Sequence, residues 1–283
     1  MTKQKADPSM TALQPSGTLT IGNTELEYRM IGPAPHEAPT IVMLHEGLGC
    51  VGLWGDFPDK LQAATGAGVF VYSRAGYGQS SPVKPPRPLD FMEIEALDVL
   101  PKVLDAISFK RGLLLGHSDG ASIATIYAGG VQDHRVRGVT LIAPHFFVEE
   151  FGQVSIRKTD ADYRGGGKLR EKLARWHKDV DGAFIGWSDV WRDEKFRDWD
   201  ISEALAYIRV PIQIVQGADD QYGTMRHIEI AQEECYCPVD VAVIPQAAHS
   251  PHREAADITL KTIADFANRL LSTHGEGQFG RAA

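Results

Sequence analysis

Six short runs of mostly apolar residues recur along the chain at intervals that leave room for a helix between most of them: "TIVMLHEG", "GVFVYSR", "RGLLLGHS", "RVRGVTLIAPH", "PIQIVQG" and "DVAVIPQAAH". Runs that are apolar on both faces suit strands buried on both sides, and helical stretches such as Pro88 to Ser108 and Pro251 to Ser272 separate them. This pattern predicts an α/β fold in which a mostly parallel, twisted sheet is covered by helices on both faces. Ahead of the first run, "GTLTIG" and "TELEYRMIG" alternate polar and apolar residues around a Gly-Asn turn, which predicts an antiparallel hairpin at one edge. With 283 residues, 43% of them hydrophobic, the chain can bury a full core.

One interval breaks the rhythm. About 60 residues lie between "VTLIAPH" and "PIQIVQG", and their pattern is helical. The expected organisation is an N-terminal tail over 1–16, a core over 17–145 and 211–272, an inserted helical cap over 146–210 and a C-terminal tail over 273–283. Four of the five tryptophans (Trp176, Trp187, Trp191 and Trp199) fall in the cap. Trp187 and Trp191 share a helical face with Phe184, which fits either the cap's own core or the wall of an apolar pocket. "RGGGK" within the cap reads as a hinge. It is no phosphate loop, since Leu169 stands where Ser or Thr is needed.

The chemistry concentrates at the ends of the apolar runs. "LLLGHSDGAS" carries Gly116-His117-Ser118-Asp119-Gly120 between a three-leucine strand and a helical segment. Flanking glycines permit a sharp strand-turn-helix, which would leave Ser118 exposed at the strand's end as a nucleophile. A serine hydroxyl needs a base to take its proton, and the base needs a carboxylate to orient it. His249 and His252 are candidate bases after the last run, and Asp219 and Asp220 are candidate acids after "PIQIVQG".

These motifs resemble the α/β-hydrolase family, from "VMLHEGLG" to the final helix, in its form as a serine esterase or lactonase with an inserted cap. The resemblance implies the chain order nucleophile, acid, histidine, and so Ser118, Asp220 and His249 as the catalytic residues. Asp220 is preferred to Asp219 because it stands three positions beyond Gly217, and His249 to His252 because it directly follows the strand. The backbone N–H groups of Gly47 and Asp119 are the implied oxyanion donors. The Asp119 side chain also suits the first turn of a helix, where an acid meets a favourable dipole.

Two departures from the family pattern stand out. "VMLHEGLG" places Glu46 where the family has glycine, and "YSRAGYGQSS" has Ser73 and Ala75 in place of Asp and Arg, with an arginine displaced to Arg74. An unpaired carboxylate about 6 Å from a developing oxyanion would raise the transition state by roughly 2.8 kcal/mol at an effective dielectric near 20. Glu46 must then point away, bind a cationic group of the substrate or meet a positive partner, and a partly buried Glu46–Arg74 ion pair is the expected remedy. His45, Glu46, Trp187 and Trp191 are the expected pocket residues.

The implied activity is cleavage of a carboxylic ester, lactone or thioester of a small, largely apolar molecule through an acyl-enzyme, with no cofactor and no metal. Carbon–carbon bond hydrolysis, and a non-catalytic small-molecule receptor on the same fold, are the alternatives. A net charge of −8 without a Lys/Arg block disfavours nucleic acid as a partner. The absence of an apolar run long enough to span a bilayer predicts a soluble, cytoplasmic protein that acts on a small molecule, its oligomeric state left open. Cys50, Cys235 and Cys237 are too few and too poorly spaced for a zinc site and read as free thiols. Between Arg157 and Lys178 eight Lys/Arg residues outnumber three acids, either as a solvated helix face or as a basic rim for an anionic substrate.

Overall fold

The computed structural model describes residues 13–272; the expected C-terminal tail, and all but the last four residues of the expected N-terminal one, lie outside them. Eight strands form one sheet: β1 (Ser16–Ile21), β2 (Thr24–Ile31), β3 (Thr40–Leu44), β4 (Gly68–Tyr72), β5 (Gly112–His117), β6 (Val136–Ile142), β7 (Ile212–Gly217) and β8 (Val239–Ile244). Their spatial order is β1-β2-β4-β3-β5-β6-β7-β8. β1 and β2 pair antiparallel, as do β2 and β4, and every later pairing is parallel. The alternating edge and the continuous apolar centre read from the sequence therefore sit where their burial patterns require.

β3, β4 and β5 are buried at every residue. Helices α1 (Phe57–Thr65), α2 (Phe91–Ile94), α3 (Leu100–Ala106), α4 (Asp119–Gly130), α5 (Glu150–Arg164), α6 (Lys168–Leu173), α7 (Val180–Arg192), α8 (Arg226–Glu234), α9 (Pro251–Glu254) and α10 (Ala256–Leu271) connect and cover the strands. The two faces of the sheet carry separate apolar clusters. One gathers Val42, Phe70, Leu114 and Leu141 under α4, and the other gathers Ile41, Val69, Leu113 and Val215 under α1 and α10. No helix among the described residues is long and apolar enough to cross a membrane.

The long interval between β6 and β7 forms α5, α6 and α7, followed by short 3-10 turns. "RGGGK" is the turn from α5 to α6, with Gly166 at φ 80°. α5 rides on the loop after β7: a Cβ on Gly152 would lie 2.2 Å from the Tyr222 carbonyl oxygen, so only glycine allows this approach. Ser155 donates to the Gln221 carbonyl, and Glu149 accepts from both the N–H and the hydroxyl of Thr224.

Three of the eight basic residues in this stretch of the insertion form ion pairs. Arg157 meets Glu150, Arg164 meets Asp160 and Asp189, and Arg170 meets Asp181. Lys158, Lys168 and Lys172 line an open groove beside Asp162.

Candidate active site

β5 leads straight into α4 through a turn so tight that its glycines have no substitutes. A Cβ on Gly116 would lie 2.2 Å from the Gly120 carbonyl oxygen, and one on Gly120 would lie 2.1 Å from that of Leu44. Ser118 between them takes φ 52° and ψ −119°, a conformation that costs a non-glycine residue roughly 1–3 kcal/mol and recurs at functional sites. The strain lifts Ser118 into a cavity of about 110 Å³ at the C-terminal ends of the parallel strands.

His249 lines the same cavity, and its Nδ1 lies 2.9 and 3.0 Å from the two oxygens of Asp220. Asp220 is buried and also accepts from the Gln216 side-chain amide at 2.8 Å and the Tyr222 N–H at 2.8 Å. Burial alone would raise its pKa, yet the His249 contact and the Tyr222 N–H outweigh it and hold the carboxyl at about 2. A carboxylate fixed as an anion against Nδ1 leaves Nε2 to serve as the ring's base. The rival candidates lie elsewhere: Asp219 is exposed, and His252 is buried among Trp54, Phe57 and His117.

The loop after β3 is aimed through its backbone. The Glu46 carbonyl accepts from His45 Nδ1 at 2.6 Å, Arg74 Nη2 at 3.0 Å and the Gly49 N–H at 3.0 Å. In a planar trans peptide the C=O and the following N–H point in opposite directions. With the carbonyl held toward Arg74, the Gly47 N–H faces the other way, on the side where Gly47 lines the cavity. Asp119 opens α4, where the first N–H groups of a helix have no partner within it. His45 is fully buried behind the loop and accepts the Arg74 N–H on Nε2 at 3.0 Å, so it is a brace and, against expectation, no part of the cavity lining.

The expected Glu46–Arg74 ion pair is corrected by these contacts. Arg74 reaches the main-chain carbonyl of Glu46, and its ionic partner is Asp119, at 3.8 Å between Nη2 and Oδ2. The Glu46 carboxylate instead lies 3.5 Å from His117 Nδ1. The reason is position: Arg74 is 1% exposed and runs behind the loop, whereas the Glu46 side chain folds over Gly49 toward β5. His117 Nε2 donates to the His249 carbonyl at 2.8 Å. Burial raises the Glu46 pKa, but the hydrogen bond and charge of His117 outweigh it and leave the carboxyl well below its ordinary range.

Of the expected pocket residues, Glu46, Trp187 and Trp191 line the cavity. Phe184, on the same face of α7, stacks instead on Tyr163 within the insertion. Sequence reasoning missed Leu48, His145, Glu149, Gly152, Gln153, Ile156 and Tyr222, which complete the wall. His145 stands three residues beyond the end of a parallel strand and Tyr222 two residues beyond the acid, so position alone could have flagged both. Burial, and then the neighbouring His227, push the His145 pKa well below its ordinary value and keep the ring neutral.

A family model described as the alpha/beta hydrolase family matches residues 41–261. A proline iminopeptidase of Lactobacillus helveticus is 22% identical over 250 residues, which cover 72% of this chain and 81% of its own. The solved enol-lactonase from Burkholderia xenovorans LB400 superposes with a TM-score of 0.69 at 22% identity, over 88% of this chain and 99% of that one. The esterase RhEst1 from Rhodococcus sp. ECU1013 gives 0.70 at 17% identity, over 91% and 100%. At these identities the likeness of the solved structures is one of fold.

Proposed function

The chain belongs to the alpha/beta hydrolase family, and from that membership we propose that it is a serine hydrolase cleaving a carboxylic ester, lactone or thioester of a small molecule with an apolar body. The observation that carries the reading is one cavity shared by a strained Ser118 and a His249 whose Nδ1 is clamped by Asp220. In this reading His249 Nε2 takes the Ser118 proton as Oγ attacks the carbonyl. The tetrahedral oxyanion is held by the N–H groups of Gly47 and Asp119, each such donor being worth roughly 2.7–4 kcal/mol. His249 then protonates the departing alcohol, and water, deprotonated by the same ring, releases the acyl group from Ser118. The insertion acts as a cap whose α5 and α7 bring Ile156, Trp187 and Trp191 against the acyl chain.

The cavity's small volume and indole walls support short substrates over long-chain lipids. The peptidase name of its relative favours amide cleavage as the second reading, since the same serine, base and oxyanion donors serve both bonds. Matched p-nitrophenyl butyrate and butyryl p-nitroanilide separate them. Ester turnover that exceeds anilide turnover by more than about a hundredfold, and that falls by at least a thousandfold in Ser118→Ala, is the expected result. Retention of a tenth of the activity in Ser118→Ala would refute the serine mechanism.

A further inference from the structure

Among the described residues, the cavity around Ser118 is lined by three carboxylates, Glu46, Asp119 and Glu149, and by no lysine or arginine. They are not equivalent. Glu149 is occupied: Thr224 donates to it twice, and His227 Nε2 lies 3.0 Å from it. Asp119 is 1% exposed, and its Oδ1 accepts the Trp191 indole N–H at 3.2 Å. Its Oδ2 accepts no hydrogen bond, with Arg74 Nη2 3.8 Å away on the far side of the loop. A Cβ placed on Gly47 would lie 3.1 Å from this oxygen, so Oδ2 borders the oxyanion loop directly. The Glu46 carboxylate is 24% exposed and meets only His117, at 3.5 Å.

A buried carboxylate oxygen without a donor is costly, and Arg74, 3.8 Å away, offsets part of its charge without donating to it, so the remainder still opposes the charge that forms on the oxyanion. Both costs vanish if the missing donor is cationic and arrives with the substrate. Among the described residues no basic residue of the insertion lines the cavity: Arg157, Arg164 and Arg170 are in ion pairs, and Lys158, Lys168 and Lys172 line a separate groove.

We propose that the substrate carries a protonated amine within a few bonds of the scissile carbonyl, held by Asp119 Oδ2 and Glu46 against the Trp187 and Trp191 indoles, as in an aminoacyl ester. The inference rests on the serine-hydrolase reading. The amine is a spectator in the bond changes: the acyl C–O bond to the alcohol breaks, a bond to Ser118 Oγ forms and is then replaced by one to water, and the nitrogen keeps its proton throughout. Its role is to bind and to offset the carboxylates' field when the oxyanion forms.

Three benzyl esters that differ in one group test this: that of alanine (cationic), of isobutyric acid (neutral, methyl for ammonium) and the monobenzyl ester of methylmalonic acid (anionic). The wild-type protein should show kcat/KM at least about tenfold higher for the alanine ester than for the isobutyrate, with the methylmalonate lowest. Asp119→Asn should bring the first ratio to within about threefold. Ser118→Ala protein, titrated calorimetrically with the alanine and isobutyrate esters, should show the same preference in Kd without turnover. Equal or reversed preference in that titration, or a ratio unchanged in both Asp119→Asn and Glu46→Gln, would overturn the proposal. Preferential binding of the alanine ester with no wild-type turnover of any of the three would support the amine subsite and count instead against the hydrolase reading.

Discussion

At the scale of single residues, Glu46 is the test of whether the oxyanion site is electrostatically coherent. Its carboxylate is tolerable only while His117 offsets it, and removing His117 strands a negative charge beside the Gly47 N–H. His117→Ala should therefore lower kcat/KM more than the His117→Ala/Glu46→Gln double variant does. A double-mutant cycle should give a coupling of at least about 1 kcal/mol, whereas additivity within about 0.3 kcal/mol would deny the pair. Asp220 gives a prediction of opposite experimental kind. Its folded pKa, about 2, lies below the ordinary value near 3.8, so its contribution to stability is present above pH about 4 and is lost as the pH falls toward 2. Asp220→Asn should thus cost on the order of 2 kcal/mol at neutral pH, and chemical denaturation at pH 7 and pH 2 should show the difference shrinking in acid. Ser118, Asp220 and His249 were legible because each follows a strand at a fixed, local spacing. The partner of Glu46 was not, because two basic groups, Arg74 and His117, lie within reach of one loop and only tertiary packing decides between them.

At the scale of elements, the turn from β5 to α4 stores backbone strain to present a side chain. Ser118→Ala removes the hydroxyl but keeps a Cβ at φ 52°, and Ser118→Gly removes both. The glycine variant should therefore be the more stable of two inactive proteins, by about 1 kcal/mol after allowing for its greater unfolded-state entropy. A lower melting temperature for Ser118→Gly than for Ser118→Ala would mean that the turn is not strained. The motif was legible here because Gly116 clears the Gly120 carbonyl within one strand-turn-helix unit, although Gly120 itself clears the Leu44 carbonyl on the neighbouring β3. Gly152 was not, because its reason is the distant Tyr222 carbonyl, brought close only when α5 docks on the loop after β7. The same limit applied to α7: periodicity grouped Phe184, Trp187 and Trp191 on one face, but could not divide that face between the insertion's core and the cavity.

At the scale of the whole molecule, the parallel strands deliver the loops after β3, β5, β7 and β8 to one end of the sheet, and the insertion after β6 closes over them. The alternation of apolar runs and helices disclosed that order, since strands buried on both faces leave little freedom for other arrangements. It could not disclose the sign of charge in the cavity. The basic stretch of the insertion suggested a rim for anions, yet three of its arginines pair with carboxylates of the insertion itself, and the cavity's carboxylates come from three separate elements. The central claim is that Ser118 is the nucleophile. Its most direct test is peptide mass mapping of the protein after reaction with a fluorophosphonate probe. The account predicts one adduct per chain, on the peptide carrying Ser118, strongly slowed in His249→Ala and absent in Ser118→Ala together with ester turnover. A protein that hydrolyses esters while Ser118 stays unlabelled, or that carries the adduct on another residue, would contradict it.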